Sequence, residues 1–293
     1  MLAFAGVVML GGVNGVGIGV LNNELAPIWG AAIRFGLASM LLIGLAIVRR
    51  ARFPRRGALV GTVTYGFLYF GVGFGLIHWA LADAPPGMTQ VILSVVPLLA
   101  LLLATAHGVE PFRRQGLAGA LLAASGVAIV FGDRLGGELP VIVLLAILGG
   151  ALGVAEGTVA VKRFPSGDPV TANAIAMIVA TSILLATSMI AGEAWSLPAT
   201  PGTWTALIYV VAVGSVVVFV MFLYVVSRWT ASATSFVWPL FPLVAVPFSA
   251  LILGESITPM LLLGAALVVI GVYVGAFAPP LGRPSAIFRQ GAS

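Results

Sequence analysis

Residues able to do chemistry are scarce in this chain of 293 residues, which carries 14 Lys and Arg, 9 Asp and Glu, and 2 His. Glu156 is the acid that falls inside an apolar run. A carboxylate near a bilayer centre costs about 2.5–3.5 kcal/mol, so such a group is retained for a reason; proton coupling is the chemistry it could do. It lies roughly 24 Å along its run at 1.5 Å per residue, where it could snorkel toward Arg163, two turns on. Arg34, only about 9 Å into its own run, is too far away to be its partner. Snorkelling, or packing with a group at its own end, is expected of Arg34. His78 could titrate near neutral pH or serve as a hydrogen-bonded structural residue. His107 lies at the opposite end of the membrane from His78. Hydrolytic or acyl-transfer chemistry needs Ser/His or His/Asp/Glu constellations that this distribution does not supply, so an intramembrane enzyme is a remote alternative. With no cysteine there are no disulfides or thiolate metal sites. No P-loop is present, and Gly15-Val-Gly17-Ile-Gly19 lacks the strand and the acid of a dinucleotide site. Neither a cofactor nor a metal is expected.

Weaker chemistry lies along three apolar runs. Tyr65, Tyr69 and Phe74, with Phe67, Phe70, His78 and Trp79, share one run; they either pack or line an aromatic-tolerant cavity. Gln90, Ser94 and Pro97 fall on one helix face at i, i+4, i+7, and Ser235, Trp238 and Pro242 on another at i, i+3, i+7. Such polar groups either bond helix to helix or face a wet cavity. Trp238 offers a flat apolar wall and one N–H donor, suited to a zwitterion with an apolar side chain. Trp195, in a loop, is expected to be indifferent to transport. Pro97 and Pro242, with Pro239 and Pro247 beside the latter, break the backbone ladder and kink their helices, either statically or at a gate.

The elements that position these residues are membrane helices. At 60% hydrophobic and 8% charged the chain has too little polar surface for a water-soluble fold. Ten spans are placed at roughly 3–21, 28–48, 58–80, 87–107, 114–132, 140–161, 168–191, 202–226, 232–253 and 258–277, each near the ~20 residues that cross hydrocarbon. The first run has no basic stretch ahead of it, so it reads as a helix and not as a signal peptide. The net charge of +5 comes from arginines in short loops, which argues topology and no nucleic-acid partner. Arg49, Arg50, Arg52, Arg55 and Arg56 follow span 2, Arg113 and Arg114 span 4, Lys162 and Arg163 span 6, and Arg228 span 8. Arg283 and Arg289 are in the tail, and the opposite loops hold Arg134 between Asp133 and Glu138. Both termini are therefore expected in the cytoplasm.

One stretch is written twice. Pro97, Glu110, Gly119 and Gly126 recur as Pro242, Glu255, Gly264 and Gly271, each 145 residues on. Gly11, Gly15 and Gly19 recur as Gly149, Gly153 and Gly157, 138 residues on. These small-residue faces read as tight helix packing, with a face left open for substrate as the alternative. Because five spans is an odd number, the second copy lies upside down relative to the first. Inverted repeats of this kind belong to transporters that exchange inward-open and outward-open states.

The chain resembles the drug/metabolite transporter superfamily in its ten-helix EamA-type branch. The resemblance rests on Pro27-x3-Ala31-x2-Arg34 and on the doubled Pro…Glu…Gly…Gly register. Span 3 and Trp238-Pro239-Leu240-Phe241-Pro242 are similar to YddG-type amino-acid exporters, while Val13-Asn14-Gly15 departs from a more usual Trp-Gly-rich start. The resemblance implies an all-α integral membrane protein with ten transmembrane helices as two inverted five-helix repeats around a central cavity. Residues 1–137 form the first repeat, 138–278 the second and 279–293 a basic cytoplasmic tail. Spans 1, 3, 4, 6, 8 and 9 would line the cavity, with Asn14, Tyr65, Tyr69, Phe74, His78, Gln90, Ser94, Ser235, Trp238 and Phe241 as candidate contacts. Pro97, Pro239 and Pro242 would be hinges, and Glu156 the proton-coupling candidate. The implied function is export of amino acids, aromatic ones included, or related small metabolites across a bacterial-type inner membrane by alternating access. The expected partners are the substrate, the lipid bilayer and, if Glu156 couples them, protons. Uptake or exchange of another metabolite, such as a nucleotide sugar, is the alternative.

A reporter active only in the cytoplasm is expected to work at both termini and within Arg49–Arg56, and to fail beside Asp83 or Glu193. Opposite signals at the two termini would remove the inverted arrangement.

Overall fold

The computed structural model describes residues 1–84, 86–131, 140–165, 167–253 and 259–278, and among these there are helices and turns but no strand. In chain order the helices are α1 (Leu2–Asn22), α2 (Pro27–Val48), α3 (Gly57–Ala80) and α4 (Pro86–Leu93, then Val96–Ala106). They continue with α5 (Arg114–Phe131), α6 (Val141–Arg163), α7 (Pro169–Ile190) and α8 (Pro201–Arg228). The last are α9 (Ala231–Thr234, then Val237–Leu253) and α10 (Pro259–Val272, running into a π-helical turn Tyr273–Phe277). Seven of them, α1 to α4 and α6 to α8, are long and apolar enough to cross a membrane, and the apolar parts of α5, α9 and α10 are shorter. Expectations that fall on Asp133, Arg134, Glu138, Glu255 and 279–293 lie outside the described residues.

The doubled glycines meet each other. A Cβ on Gly126 would stand 2.6 Å from the carbonyl oxygen of Gly264, and a Cβ on Gly264 2.6 Å from that of Gly126. Gly271 is likewise 2.7 Å from the Gly119 carbonyl, and Gly119 2.5 Å from that of Gly271. Here α5 and α10 pack backbone against backbone, which no larger residue permits.

The prolines break α4 and α9, though not at matched places. Proline removes the N–H that would bond four residues back. In α4 the ladder lapses at Ser94–Val95, one turn ahead of Pro97, which then opens the next helical segment. In α9 it lapses at Ser235–Phe236, one turn ahead of Pro239. The helix runs on through Pro242, so the break lies earlier than the Pro97/Pro242 register implies.

Two loops clasp the bundle at one end. Glu193, after α7, accepts the Ile28 and Trp29 N–H groups at the start of α2, at 3.1 and 2.8 Å. Glu24, after α1, accepts from Ala199 N, Thr200 N and the Thr200 hydroxyl at the start of α8. Each carboxylate thus supplies N–H groups that a helix start leaves without partners. The Thr200 hydroxyl, then the Ala199 amide, lower the Glu24 pKa to about 2. Trp29 and Trp195 stack with centroids 4.8 Å apart and planes 1° apart. Trp195 is therefore part of this clasp.

Gly126→Ala is expected to destabilise the protein by about 1–3 kcal/mol, because backbone must yield to the new methyl. Gly15→Ala, with nothing within 4 Å of its Cβ position, is expected to leave thermal stability unchanged. Thermal melts in detergent check both; equal melting temperatures for the two variants would contradict the crossing.

Candidate functional site

Between α1, α3, α4, α8 and α9 lies a cavity of about 1040 Å³. Its lining reaches the α1–α2 turn at Asn22–Pro27 and the end of α3 at Leu81 and Ala82, so that end holds its mouth. Of the expected contacts, Asn14, Tyr69, Phe74, His78, Gln90, Trp238 and Phe241 line it. Tyr65, Ser94 and Ser235 do not. Tyr65 is buried behind Tyr69, and the Ser94 and Ser235 hydroxyls are spent on the Val91 and Ala231 carbonyls of their own helices. Pro242 is in the lining; Pro97 and Pro239 are not.

No described residue of α6 reaches the cavity, against expectation. The cause is packing: Gly153 and Gly157 sit against the α3 backbone at Gly73 and Tyr69, so α3 covers α6. Their sequence twins behave differently. Gly15 and Gly19 of α1 face open cavity, and Gly11 meets the Phe241 ring first. The same triplet pattern packs against α3 when it lies on α6 and opens on the cavity when it lies on α1.

The aromatic wall comes from α3 and α8. Phe219 meets Tyr69, Phe70 and Phe74 edge-on with centroids at 5.9, 4.7 and 5.7 Å, and Trp238 extends the wall between Phe74 and Phe241. Phe219 and Phe222 were missed from the sequence alone. The repeat held the signal, since Phe219 is Phe74 displaced by 145 residues.

Polar groups on the wall are incompletely paired. The Asn14 Oδ1, Gln90 Oε1 and Trp238 Nε1 atoms are buried without hydrogen-bond partners. His78 Nδ1 lies 2.9 Å from the Phe74 carbonyl. A carbonyl only accepts, so Nδ1 carries a proton and donates to it.

Arg34 does not snorkel. It is fully buried, donating from Nε to the Ser215 hydroxyl at 2.7 Å and from Nη2 to the Gly214 carbonyl at 3.2 Å. Both acceptors lie on the π-helical turn Ala212–Val217 of α8. The guanidinium also stands 5.0 and 5.7 Å from the Phe35 and Phe74 ring centroids, where the negative ring faces offset part of its desolvation. No carboxylate pairs with it among the described residues.

Glu156 lies outside the cavity, and its partner is not the one expected. Its Oε1 is 2.9 Å from His107 Nε2, while Arg163 Nη1 is 3.2 Å from His107 Nδ1. A guanidinium cannot accept, so in this chain Nδ1 holds the lone pair and Nε2–H donates to the carboxylate. His107 therefore stands between Glu156 and Arg163.

The sequence profile of the EamA-like transporter family matches residues 1–132 and 141–276. The chain belongs to that family. An inner membrane transporter YedA of Escherichia coli K12, itself uncharacterised, is 28% identical over 84% of this chain and 80% of its own. A probable amino-acid metabolite efflux pump of the same organism is 25% identical over 92% of both chains. A solved crystal structure superposes with a TM-score of 0.76 at 18% identity, covering 93% of this chain and 94% of its own, which shows a shared fold.

Trp238→Ala is expected to weaken apparent substrate affinity about tenfold and to alter side-chain preference, through loss of an indole wall and one N–H donor. Trp204→Ala, at an exposed indole, is the control expected to change neither. Normal transport by the Trp238 variant would move the site elsewhere.

Proposed function

We propose that this membrane transporter is a secondary exporter of small metabolites, foremost amino acids with apolar or aromatic side chains, and that it works by alternating access between two inverted five-helix halves. The observation that carries the reading is the cavity itself. It draws its wall from both family-matched stretches and sets unpaired amide and indole groups beside an aromatic face. A zwitterion with an apolar side chain needs that combination. One relative, named a probable amino-acid metabolite efflux pump, supports the substrate class.

The glycine contacts support the inverted halves. Gly119 meets Gly271 and Gly126 meets Gly264. Under the 145-residue register these are one contact with its two sides exchanged, as a two-fold relation requires. Counting α5, α9 and α10 as spans gives ten, with the halves dividing near residue 138. Arginine-rich loops at the ends of α2, α4, α6 and α8 favour cytoplasmic termini. The cavity mouth at the α1–α2 turn then opens outward. The unequal surroundings of the two glycine triplets fit a molecule caught in one of two exchangeable states.

Proton coupling through Glu156 and its His107 partner is part of the same proposal. Purified protein in liposomes, given an amino-acid panel and an imposed pH gradient, tests it. Transport of apolar or aromatic amino acids is expected, accelerated by the gradient. Glu156→Gln is expected to abolish that acceleration while leaving substrate binding measurable. Unchanged gradient dependence would reduce Glu156 to a structural partner of His107, and transport of no amino acid would sink the substrate class.

A further inference from the structure

At the end away from the cavity's mouth, α4, α6 and α9 close on one another. Ala104 of α4, Val159 of α6 and Ala231 of α9 pack there into a small buried cluster with Leu103 and Val109. Beside it the buried carboxylate of Glu110, in the turn after α4, takes the backbone N–H of Ala231 on Oε1. Its Oε2 accepts from the Ser232 hydroxyl at 2.6 Å and the Ser232 N–H at 3.4 Å. Those N–H groups open the short helical lead-in Ala231–Thr234, where no preceding turn can satisfy them. The lead-in ends at the break Ser235–Phe236, and Trp238 follows at once, its N–H bonded to the Ser235 carbonyl. A carboxylate at the sealed end thus holds a four-residue lever whose far side carries an aromatic of the cavity wall.

From this geometry, and resting on the alternating-access reading, we infer that Glu110 is the latch of the sealed side and the positioning residue for the start of α9. Breaking its contacts frees the lead-in to swing about Ser235–Phe236, which opens the seal and shifts Trp238. The contact suits reversible use. While sealed, the carboxylate and its donors satisfy one another in a dry layer. Once the seal opens, water can hydrate both sides, so neither is left as an unpaired buried group. A bond made only in the sealed state biases the equilibrium by its differential strength.

The absence of cysteine makes the test direct, because any introduced thiol is the sole one. A104C reports the seal, since Ala104 is fully buried in it, and I18C reports the open cavity wall. Both are labelled with a membrane-impermeant thiol reagent, in nanodiscs and without substrate. With Glu110 intact, I18C is expected to react fast and A104C slowly. Glu110→Gln keeps the shape but loses the charge. It is expected to speed A104C labelling about tenfold, the effect of losing one charge-assisted hydrogen bond, and to slow I18C labelling in turn. Ser232→Ala, which removes only the hydroxyl donor, is expected to act in the same direction more weakly and guards against a misfolded first variant. Unchanged rates in both variants, or both reporters rising together as in general loosening, overturns the latch. Because no substrate is used, the labelling result stands whether or not amino acids are transported. Normal transport without reciprocal labelling would sink the latch alone.

Discussion

The contact on which the arrangement depends is the crossing of α5 and α10, where backbone meets backbone through Gly119, Gly126, Gly264 and Gly271. In lipid there is no hydrophobic drive to press helices together, so association rests on close van der Waals packing and on whatever polar groups can be paired. Four glycines at two reciprocal contacts allow the closest approach a helix pair can make. The α10 turn also reaches α9, for Gly275 lies against the Phe236 ring at the α9 break. The crossing therefore fixes one flank of the helix that carries Trp238 and Phe241.

Against that fixed joint, the rest of the bundle is organised by where polar groups find partners. Arg34 is the costliest group in the core. It is tolerated because a π-helical turn of α8 exposes a carbonyl and a hydroxyl to it, and because two aromatic faces cover it. The same turn lies against Asn14, since Gly214 leaves room for the Asn14 amide where any side chain would collide. A buried cation, a distorted helix and a cavity-lining amide thus share one small region. The orphaned atoms on the cavity wall contrast with it: Asn14 Oδ1, Gln90 Oε1 and Trp238 Nε1 lack what the guanidinium has largely obtained. Unpaired groups on a cavity wall are available to a polar ligand.

Much of this was legible in the residues, and the reasons differ from case to case. Trp238, Phe74 and Gln90 were found because helical spacing puts them on a common face with other aromatic or polar groups. Phe219 was readable through the repeat but not through its own surroundings, an apolar run that reads as packing. Tyr65 and Ser94 looked equivalent to their neighbours, since spacing gives a face and not what that face meets. Glu156 was recognised as an intramembrane acid, yet its partner His107 comes from another helix, which no local pattern connects to it.

Composition, hydropathy and loop charge by themselves determined a helical membrane protein, its helix positions to within a few residues, and the family through a doubled register of proline, glutamate and glycine. Those properties are local or periodic, so they survive in one dimension. Tertiary structure alone decided which glycine triplet opens on the cavity and which one packs, because both are the same sequence pattern and differ only in the helix opposite. It also decided that Glu110 holds Ala231 and Ser232 and that the α9 break lies ahead of Pro239. The first two of those outcomes are contacts between segments far apart in the chain, a relation that no single stretch of sequence contains.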